Sequence, residues 1–481
     1  MFRRLFLLPH LLALGLVVSL GAGETHAPEA AEPEIFPVRM VKLGSWAGKE
    51  AALRHLEFCR QLGFNAVWVY SNEAGRWKER FAPKGPYLNQ DFLEIADWCR
   101  AHGMRVFVSV NPVGDSRQEF VFSDRKGEKR IRKFFRLLRR RAEVRDFVVS
   151  FDDQPRELTE LRDILRYGRS AAPAHLDLVR RLERAIHREE TVWFCAVAYS
   201  DAHLGDGSGP YSRPLLEGLS SLPDRVGMVW TGTEAISPSI TAENLAAARA
   251  RLGGRKLLLY DNYPVNGNGH RDALALIIGP LRHRAPGLAH HASVYLACPM
   301  YELAASRLAL LTIADYLRKP VAYEPELSWL KAMEWLAGPD SEALEALRIQ
   351  GLEWGGWVGT RNYRFRDEDN IYTAVESLDD PAAMASWTWV VARYPDRMKA
   401  LGGLADGHFR DELLGRMEAR LAVARALPLV REYRARARSG RTDLDALRQS
   451  LLGVREAAAV RPEAVRLLDL FLETAGVNDL H

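Results

Sequence analysis

Cysteine, net charge and long apolar stretches are all scarce in this chain of 481 residues. Its four cysteines are too few for a disulfide scaffold, and no Cys-x-x-Cys pair or other metal-ligand spacing occurs, so we expect neither a metal nor another cofactor. The excess of 66 Lys and Arg over 62 Asp and Glu is only +4, which argues against a nucleic-acid partner. Apolar residues make up 47% and charged residues 27%, proportions typical of a folded globular protein rather than a disordered or multi-span membrane protein.

The N-terminus has the pattern of an export signal. A basic start is followed by an apolar stretch, Leu5–Leu20, and then by small residues. We predict that residues 1–27 are a cleaved signal peptide, that residues 28–36 form a linker, and that the protein is secreted or periplasmic without a membrane span. A retained anchor is the alternative, but Pro9 and His10 interrupt the stretch, which is shorter than the ~20 residues of a spanning helix.

Two cysteines occupy related positions in successive units. Cys59 and Cys99 each stand near the end of a helical pattern, just before an apolar run. An oxidising compartment would permit a disulfide bond but does not require one. We favour buried free thiols.

Between residues 37 and 317, short apolar runs alternate with segments of helical periodicity. Near-continuous apolar strands separated by helices indicate a parallel sheet buried on both faces. Eight such units match a (β/α)8 TIM barrel of ~250 residues; an open doubly wound sheet is the alternative, but no Gly-x-Gly-x-x-Gly turn follows the first strand. The predicted strands are 37–45, 64–70, 104–112, 146–151, 191–199, 225–231, 256–261 and 292–299.

The strand pattern fades after the eighth run. We therefore predict a barrel domain at 37–336 and an α-helical C-terminal domain at 337–481, with helix breaks at Pro428, Ser439-Gly440 and Pro462. Its arginines stand mostly among apolar residues at helical spacing, which favours a solvated helix face.

The densest charge run, residues 124–141, contains ten basic side chains. Aromatic residues and leucines interrupt it at helical spacing, so we predict a helix that packs on the barrel before the fourth strand. An anionic partner, such as a cell-envelope polymer, is the alternative interpretation.

Two adjacent carboxylates, Asp152 and Asp153, follow the fourth predicted strand. The C-terminal ends of barrel strands are where barrel enzymes carry their active sites. Only one of two successive side chains can face the axis in a regular strand, but Pro155 cannot continue a central strand, so we expect a bend that brings both acids to the mouth. Crowded carboxylates suit acid–base chemistry on a glycoside, although such a pair can also cap a helix or bind a cation.

Six short segments follow one another along the chain: Phe151-Asp152-Asp153, Cys195-Ala196-Val197-Ala198-Tyr199, Trp230-Thr231-Gly232, Asp261-Asn262-Tyr263-Pro264-Val265-Asn266, Ile278-Gly279-Pro280-Leu281 and Ala305-Ser306-Arg307-Leu308-Ala309-Leu310. In this order and spacing they resemble the catalytic domain of glycoside hydrolase family 84, the O-GlcNAcases and bacterial enzymes once called hyaluronidases. The resemblance covers about residues 37–336.

The resemblance implies substrate-assisted catalysis, in which the 2-acetamido oxygen of the sugar attacks the anomeric carbon, an exception to the usual two-carboxylate scheme. Asp152 would then orient and polarise the acetamido N–H, and Asp153 would be the general acid and then the base. Tyr199 would bond the acetamido oxygen, Asn262 would hold the acetamido group, and Tyr260, where the family often has tryptophan, would form an aromatic wall.

Further substrate contacts are implied for Lys84, in an Ala-Pro-Lys segment, and for Trp230 and Tyr301 in their motifs. Gly44, at the end of the first strand, matches a glycine whose backbone approaches the sugar; a turn glycine is the alternative.

Two departures from the family pattern concern the far side of the sugar. Gly267 stands where family members have aspartate, and Cys298-Pro299-Met300-Tyr301 replaces Asn-Pro-Met-Asn. Losing a hydrogen bond to a buried hydroxyl costs roughly 1–3 kcal/mol, so a different N-acetylhexosamine, an internal residue of a chain, or a weakened enzyme would each fit.

The leading hypothesis is a secreted, retaining β-N-acetylhexosaminidase that acts on an N-acetylated glycan, most simply one with β-linked N-acetylglucosamine. A glycan-binding barrel without turnover and an endo-acting enzyme are the alternatives, and a metal-dependent hydrolase is disfavoured because no histidine cluster accompanies the acids. The sequence does not predict the aglycone, the linkage or the oligomeric state.

Overall fold

The computed structural model describes residues 35–44, 48–70, 89–113, 120–266, 274–355, 374–375, 377–439, 443–459 and 461–477. The predicted signal peptide, most of the linker, Lys84 and Gly267 lie outside these described residues.

Eight parallel strands close into a barrel in sequence order, and the last strand pairs with the first. Each of the eight predicted runs coincides with a strand, although β7 extends to Pro264, past the predicted end at 261. The TIM-barrel prediction is therefore confirmed and the open sheet is excluded. The strands are β1 Val38–Gly44, β2 Ala66–Tyr70, β3 Arg105–Val110, β4 Asp146–Ser150, β5 Thr191–Cys195, β6 Val226–Trp230, β7 Leu257–Pro264 and β8 Val294–Cys298.

Helices surround this barrel and continue beyond it. Those within the barrel region are α1 Lys49–Gln61, α2 Gln90–Ala101, α3 Arg125–Ala142, α4 Leu161–Tyr167, α5 Ala172–Glu183, α6 Asp201–Leu204, α7 Ser212–Gly218, α8 Ala242–Arg251 and α9 Arg307–Arg318. Those that follow are α10 Pro325–Ala337, α11 Ser341–Gly355, α12 Pro381–Leu401, α13 Gly407–Arg438, α14 Asp445–Ala458 and α15 Pro462–Thr474.

The two faces of each strand enter different apolar cores. One face fills the barrel interior, with side chains such as Met40, Trp68 and Val148. The other face packs against the helices, as Val149 and Trp230 do. Because successive strand residues point to opposite faces, a shift of one residue decides whether a side chain faces the barrel axis or the helices.

The basic segment forms α3, as predicted. Its apolar stripe, which includes Phe134 and Leu138, is buried in the helix-side core. Its Glu128 is buried as well, and Arg181 of α5 donates to that carboxylate at 2.6 Å. These contacts fix the helix on the barrel wall. Most of its basic side chains are exposed, but Arg139 is largely buried and donates to Glu190 at 2.7 Å.

All four cysteines are buried and unbridged. Cys59 lies near the end of α1 and Cys99 near the end of α2, so the prediction of equivalent buried thiols is confirmed. Desolvation raises the pKa of Cys99 to about 12, which keeps this thiol protonated and unreactive.

The helical C-terminal region is confirmed, but one predicted break is wrong. Pro462 begins α15, and Ser439 ends α13, as expected. Pro428 instead lies inside α13. Proline removes one backbone hydrogen bond there, and burial of neighbours such as Leu427 and Val430 stabilises the helix against that loss. Within the described ranges, no helix combines the length and apolar character needed to cross a membrane.

The prediction that the C-terminal arginines form a solvated face is wrong for several described arginines, two of them in α13. Arg416 and Arg420 of α13 are buried. The guanidinium of Arg420 lies 5.1 Å from the ring centroid of Trp387, and Arg416 donates to Glu302 in the loop after β8. Buried arginine requires such partners: Arg416 finds one in the barrel, whereas Arg420 finds one within the helical region.

The helical region also shares an apolar core with the barrel. Side chains of the β7–β8 connection, such as Leu276 and Ile278, are in one cluster with Leu413 and Met417 of α13. The indole Nε1 of Trp329 in α10 donates to the carbonyl of Ile278 at 2.7 Å. The seam between the two regions therefore lies directly beside the strand ends that carry the barrel mouth.

Candidate active site

The two predicted acids lie at the C-terminal end of β4. Ser150 ends the strand, and its hydroxyl donates to Oδ1 of Asp152. Asp153 adopts a left-handed backbone conformation with φ of 57°, and the amide of Gln154 donates to the carbonyl of Phe151 at 3.3 Å. The chain thus turns at Asp153, and the predicted bend is confirmed. Aspartate tolerates this conformation better than most residues.

Asp152 and Asp153 differ in exposure. Asp152 is half-buried and Asp153 is exposed. Burial raises the pKa of Asp152 above its ordinary value, and the negative charge of Asp153 acts in the same direction. The Ser150 hydrogen bond and the positive charge of Lys42 oppose this rise by favouring the carboxylate.

Tyr199 joins this pair. It lies shortly after β5, and its hydroxyl donates to Oδ1 of Asp153 at 3.0 Å. Desolvation, with the charge of Asp153, raises the pKa of the Tyr199 phenol, so the hydroxyl stays protonated and acts as a donor. The structure therefore brings together three of the predicted residues, Asp152, Asp153 and Tyr199.

His203, a half-buried residue that was not predicted, packs against the ring of Tyr199. Its ring centroid lies 4.4 Å from that of Tyr199, and its Nδ1 lies 2.8 Å from the hydroxyl of Ser200. Desolvation and the charge of Arg156 lower its pKa, while Asp153 raises it. The sequence signal for His203 was Ser200, three residues earlier: serine is a common N-cap, and here its side chain accepts from the amide of His203 at the start of α6.

Asn262 lies on β7, where the pairing with β8 shifts register between Asp261 and Pro264. Its Nδ2 donates to the carbonyl of Ala235, in the loop after β6, at 2.7 Å. The neighbouring Asp261 points the other way and receives two hydrogen bonds of 2.7 Å from Arg284. This buried ion pair holds the strand, so that Asn262 is presented on the barrel-mouth side.

Tyr260 also faces the barrel interior. Its ring packs edge-on against Trp68, with centroids 5.4 Å apart, and Lys42 Nζ lies 5.6 Å from its centroid. Its hydroxyl is 3.5 Å from the sulfur of Cys298. Lys42 was not predicted. The signal was its position two residues after Met40, which places a lysine on the otherwise apolar inward face of β1.

Of the three other predicted substrate contacts within the described residues, two lie at the barrel mouth and one does not. Gly44 ends β1, and Tyr301 lies in the loop after β8, so both belong to the mouth face. Trp230 does not join them: its side chain is buried in the core between strands and helices. Val229 occupies the inward position instead, and strand alternation turns the next residue outward.

The groups around the acids limit the chemistry. Desolvation and the charge of Asp152 raise the pKa of the buried Cys195 thiol far above its usual range, so it is not a thiolate nucleophile. In the described part of the chain, no group of three or more His, Cys, Asp or Glu side chains could hold a metal ion. What the site offers is a half-buried carboxyl, an exposed carboxyl and a phenolic donor, a set suited to proton transfer.

Comparisons with known proteins agree with this arrangement. A family model described as β-N-acetylglucosaminidase matches residues 47–349. A mutant of the Thermobaculum terrenum O-GlcNAc hydrolase is similar in structure, with 21% identity and a TM-score of 0.65 over 92% of this chain and 94% of its own. The protein CpGH84B is similar with 18% identity and a TM-score of 0.59, over 92% of this chain and 77% of its own.

Proposed function

Because the chain belongs to the β-N-acetylglucosaminidase family of glycoside hydrolases, family 84, we propose that it cleaves β-linked N-acetylglucosamine with retention of configuration. The observation that supports this most directly is the pair of carboxyls at the barrel mouth, one half-buried and one exposed, joined to a protonated tyrosine. A terminal N-acetylglucosamine of an envelope polysaccharide or secreted glycoprotein is the proposed substrate.

In the first step, the acetamido oxygen of the sugar attacks the anomeric carbon and the bond to the leaving group breaks. Asp152, as a carboxylate, accepts the acetamido N–H and stabilises the positive charge that develops on the forming oxazoline ring. When the substrate binds, the hydroxyl of Tyr199 gives up its hydrogen bond to Asp153 and donates to the acetamido oxygen instead.

Asp153 handles the proton of the leaving group. It protonates the glycosidic oxygen in the first step, then removes a proton from water when water opens the oxazoline. Its exposure suits this role because both the leaving group and the water arrive from the solvent side of the mouth.

The proposed specificity follows from the altered residues at the mouth. The hydroxyl of Tyr260 contacts the sulfur of Cys298, so both side chains form part of the wall of the site. Tyr301 replaces an amide side chain of the family pattern. We therefore propose weaker recognition of the outer hydroxyls, which makes N-acetylgalactosamine a tolerated alternative sugar.

We also propose export, based on the N-terminal pattern of residues 1–27. A secreted or periplasmic enzyme would meet envelope polysaccharides and secreted glycoproteins rather than cytosolic ones.

The proposal is tested by hydrolysis of the 4-nitrophenyl β-glycosides of N-acetylglucosamine and N-acetylgalactosamine, with the α-glycosides as controls. We expect turnover of both β-glycosides, with the glucosaminide faster, and NMR detection of the β-anomer as the first product. No turnover of these or of longer N-acetylated oligosaccharides would contradict the hydrolase activity, and an α-anomer would contradict the oxazoline mechanism alone.

Lys42 provides a prediction about pH. Its positive charge lowers the pKa of Asp152, whose carboxylate form is the active one. Removing that charge in Lys42→Met raises the pKa of Asp152 further, so the acidic limb of kcat/KM against pH moves to higher pH. Lys42→Arg keeps the charge and should leave the limb in place. Superimposable profiles for wild type and Lys42→Met would contradict the assignment.

A further inference from the structure

A buried polar network joins the two loops that follow β7 and β8. Asn266 is fully buried; its Nδ2 donates to Oε2 of Glu302 at 2.5 Å, and its Oδ1 accepts from the backbone amide of Tyr301 at 2.8 Å. One side chain therefore fixes the backbone at Tyr301 and is itself fixed by Glu302. These loops carry the segments in which the chain departs from its family pattern.

The other oxygen of Glu302 leads out of the barrel. It accepts from Nη2 of Arg416 on α13, more than one hundred residues later in the chain, and the Arg416 side chain is 1% exposed. A buried arginine and a largely buried glutamate hold one another strongly, because removing either leaves a charge without its partner. Arg416 thus links the helical region to the side chain that holds Asn266.

Other polar contacts between the two regions do not involve the side chains of Asn266 and Glu302. Arg307 Nη1 donates to Oδ1 of Asp406 at 2.6 Å, at the start of α9 and just before α13. The carboxylate of Glu412 accepts from the amide of Ala305 at 2.7 Å. Adhesion between helical region and barrel therefore has contacts that involve neither Asn266 nor Tyr301.

We propose that Arg416 is a positioning residue of the active site: through Glu302 and Asn266 it fixes the Tyr301 loop and so sets affinity for the far side of the sugar. This rests on the proposed function, because it assigns the loop to the sugar. It explains why an arginine is buried at this point of α13, where an apolar side chain would otherwise complete the core.

The test compares Arg416→Met with Arg416→Lys and with a matched control, Asp406→Asn. Asp406→Asn weakens the second ion pair across the same seam and keeps an oxygen for the helix cap at Phe409. For Arg416→Met we expect KM to rise by about 5- to 50-fold with kcat little changed, because the sugar must then order the Tyr301 loop, at a cost comparable to the one charged hydrogen bond that held it. Arg416→Lys should restore most of the affinity, and Asp406→Asn should lower Tm without changing KM.

Hydrogen exchange gives a second measurement that needs no activity. The peptide that contains Tyr301 should exchange faster in Arg416→Met than in wild type, and not in Asp406→Asn. If Arg416→Met does not fold, Glu302→Gln replaces it, because the amide keeps the shape of the carboxylate and removes the charge that pairs with Arg416.

Equal effects of Arg416→Met and Asp406→Asn on both KM and Tyr301 exchange would overturn the inference and leave Arg416 as an adhesive contact. Unchanged exchange at Tyr301 in Arg416→Met would overturn it as well. A wild type without turnover, combined with faster Tyr301 exchange in Arg416→Met alone, would count against the proposed function while supporting the positioning role.

Discussion

Asp153→Asn should lose activity in proportion to how poor the leaving group is. With a general acid removed, glycosides whose leaving group needs protonation should lose about 10²- to 10⁴-fold in kcat/KM, whereas an aryl glycoside with an acidic phenol should lose far less. Asparagine is the appropriate replacement because it tolerates the left-handed backbone at this position, where φ is 57°, and can still accept from Tyr199.

The measurement is kcat/KM for a series of aryl β-N-acetylglucosaminides with phenols of different acidity. Glu143→Gln is the matched control: Glu143 is another exposed acid with positive φ, but it lies at the end of α3, where it pairs with Arg100. Its variant should behave as wild type throughout the series. A loss in Asp153→Asn that is uniform across all leaving groups would show that the residue does not supply the proton.

Asp152→Asn should abolish most turnover on every substrate, by about 10²- to 10³-fold, because the carboxylate that stabilises the forming ring is lost. The loss should not depend on the leaving group, which separates this residue from Asp153. A smaller loss is expected for Ser150→Ala, which leaves the carboxylate but removes the hydrogen bond that favours its ionised form. Raising the pH should restore much of the activity of Ser150→Ala and none of that of Asp152→Asn.

Participation by the acetamido group is measured with substrates whose acetyl methyl carries one, two or three fluorines. Fluorine weakens the acetamido oxygen as a nucleophile, so the wild-type rate should fall steeply along the series. A wild-type rate that is independent of fluorination, or an Asp152→Asn variant within tenfold of wild type, would exclude the proposed role of Asp152.

The strands were predictable because each lies in a short, mostly apolar run between helical segments, a signal that depends on local composition. The acids were predictable for a related reason: Asp152 and Asp153 stand where such a run ends, and strand ends converge at the mouth. It was harder to predict which way the side chains at the strand ends point. Trp230 illustrates this, because an error of one residue in register exchanges the axis-facing and helix-facing positions.

Contacts between distant segments were not predictable from local patterns. An arginine such as Arg416, placed among apolar residues at helical spacing, has the same signal whether it faces water or a buried carboxylate. Its partner Glu302 lies in another part of the chain, and only the folded structure brings them together. The predicted helix break at Pro428 was wrong for a similar reason. Tertiary packing, rather than local propensity, determines that α13 continues through this residue.

The shared apolar core changes what the predicted boundary at residue 337 means. That boundary separates two patterns of secondary structure, yet Leu276 and Ile278 of the barrel are buried together with Leu413 of α13. A fragment ending at Ala337 would expose these side chains to water and lose the core they share. We therefore expect the barrel and the helical region to unfold in a single transition rather than as two independent domains.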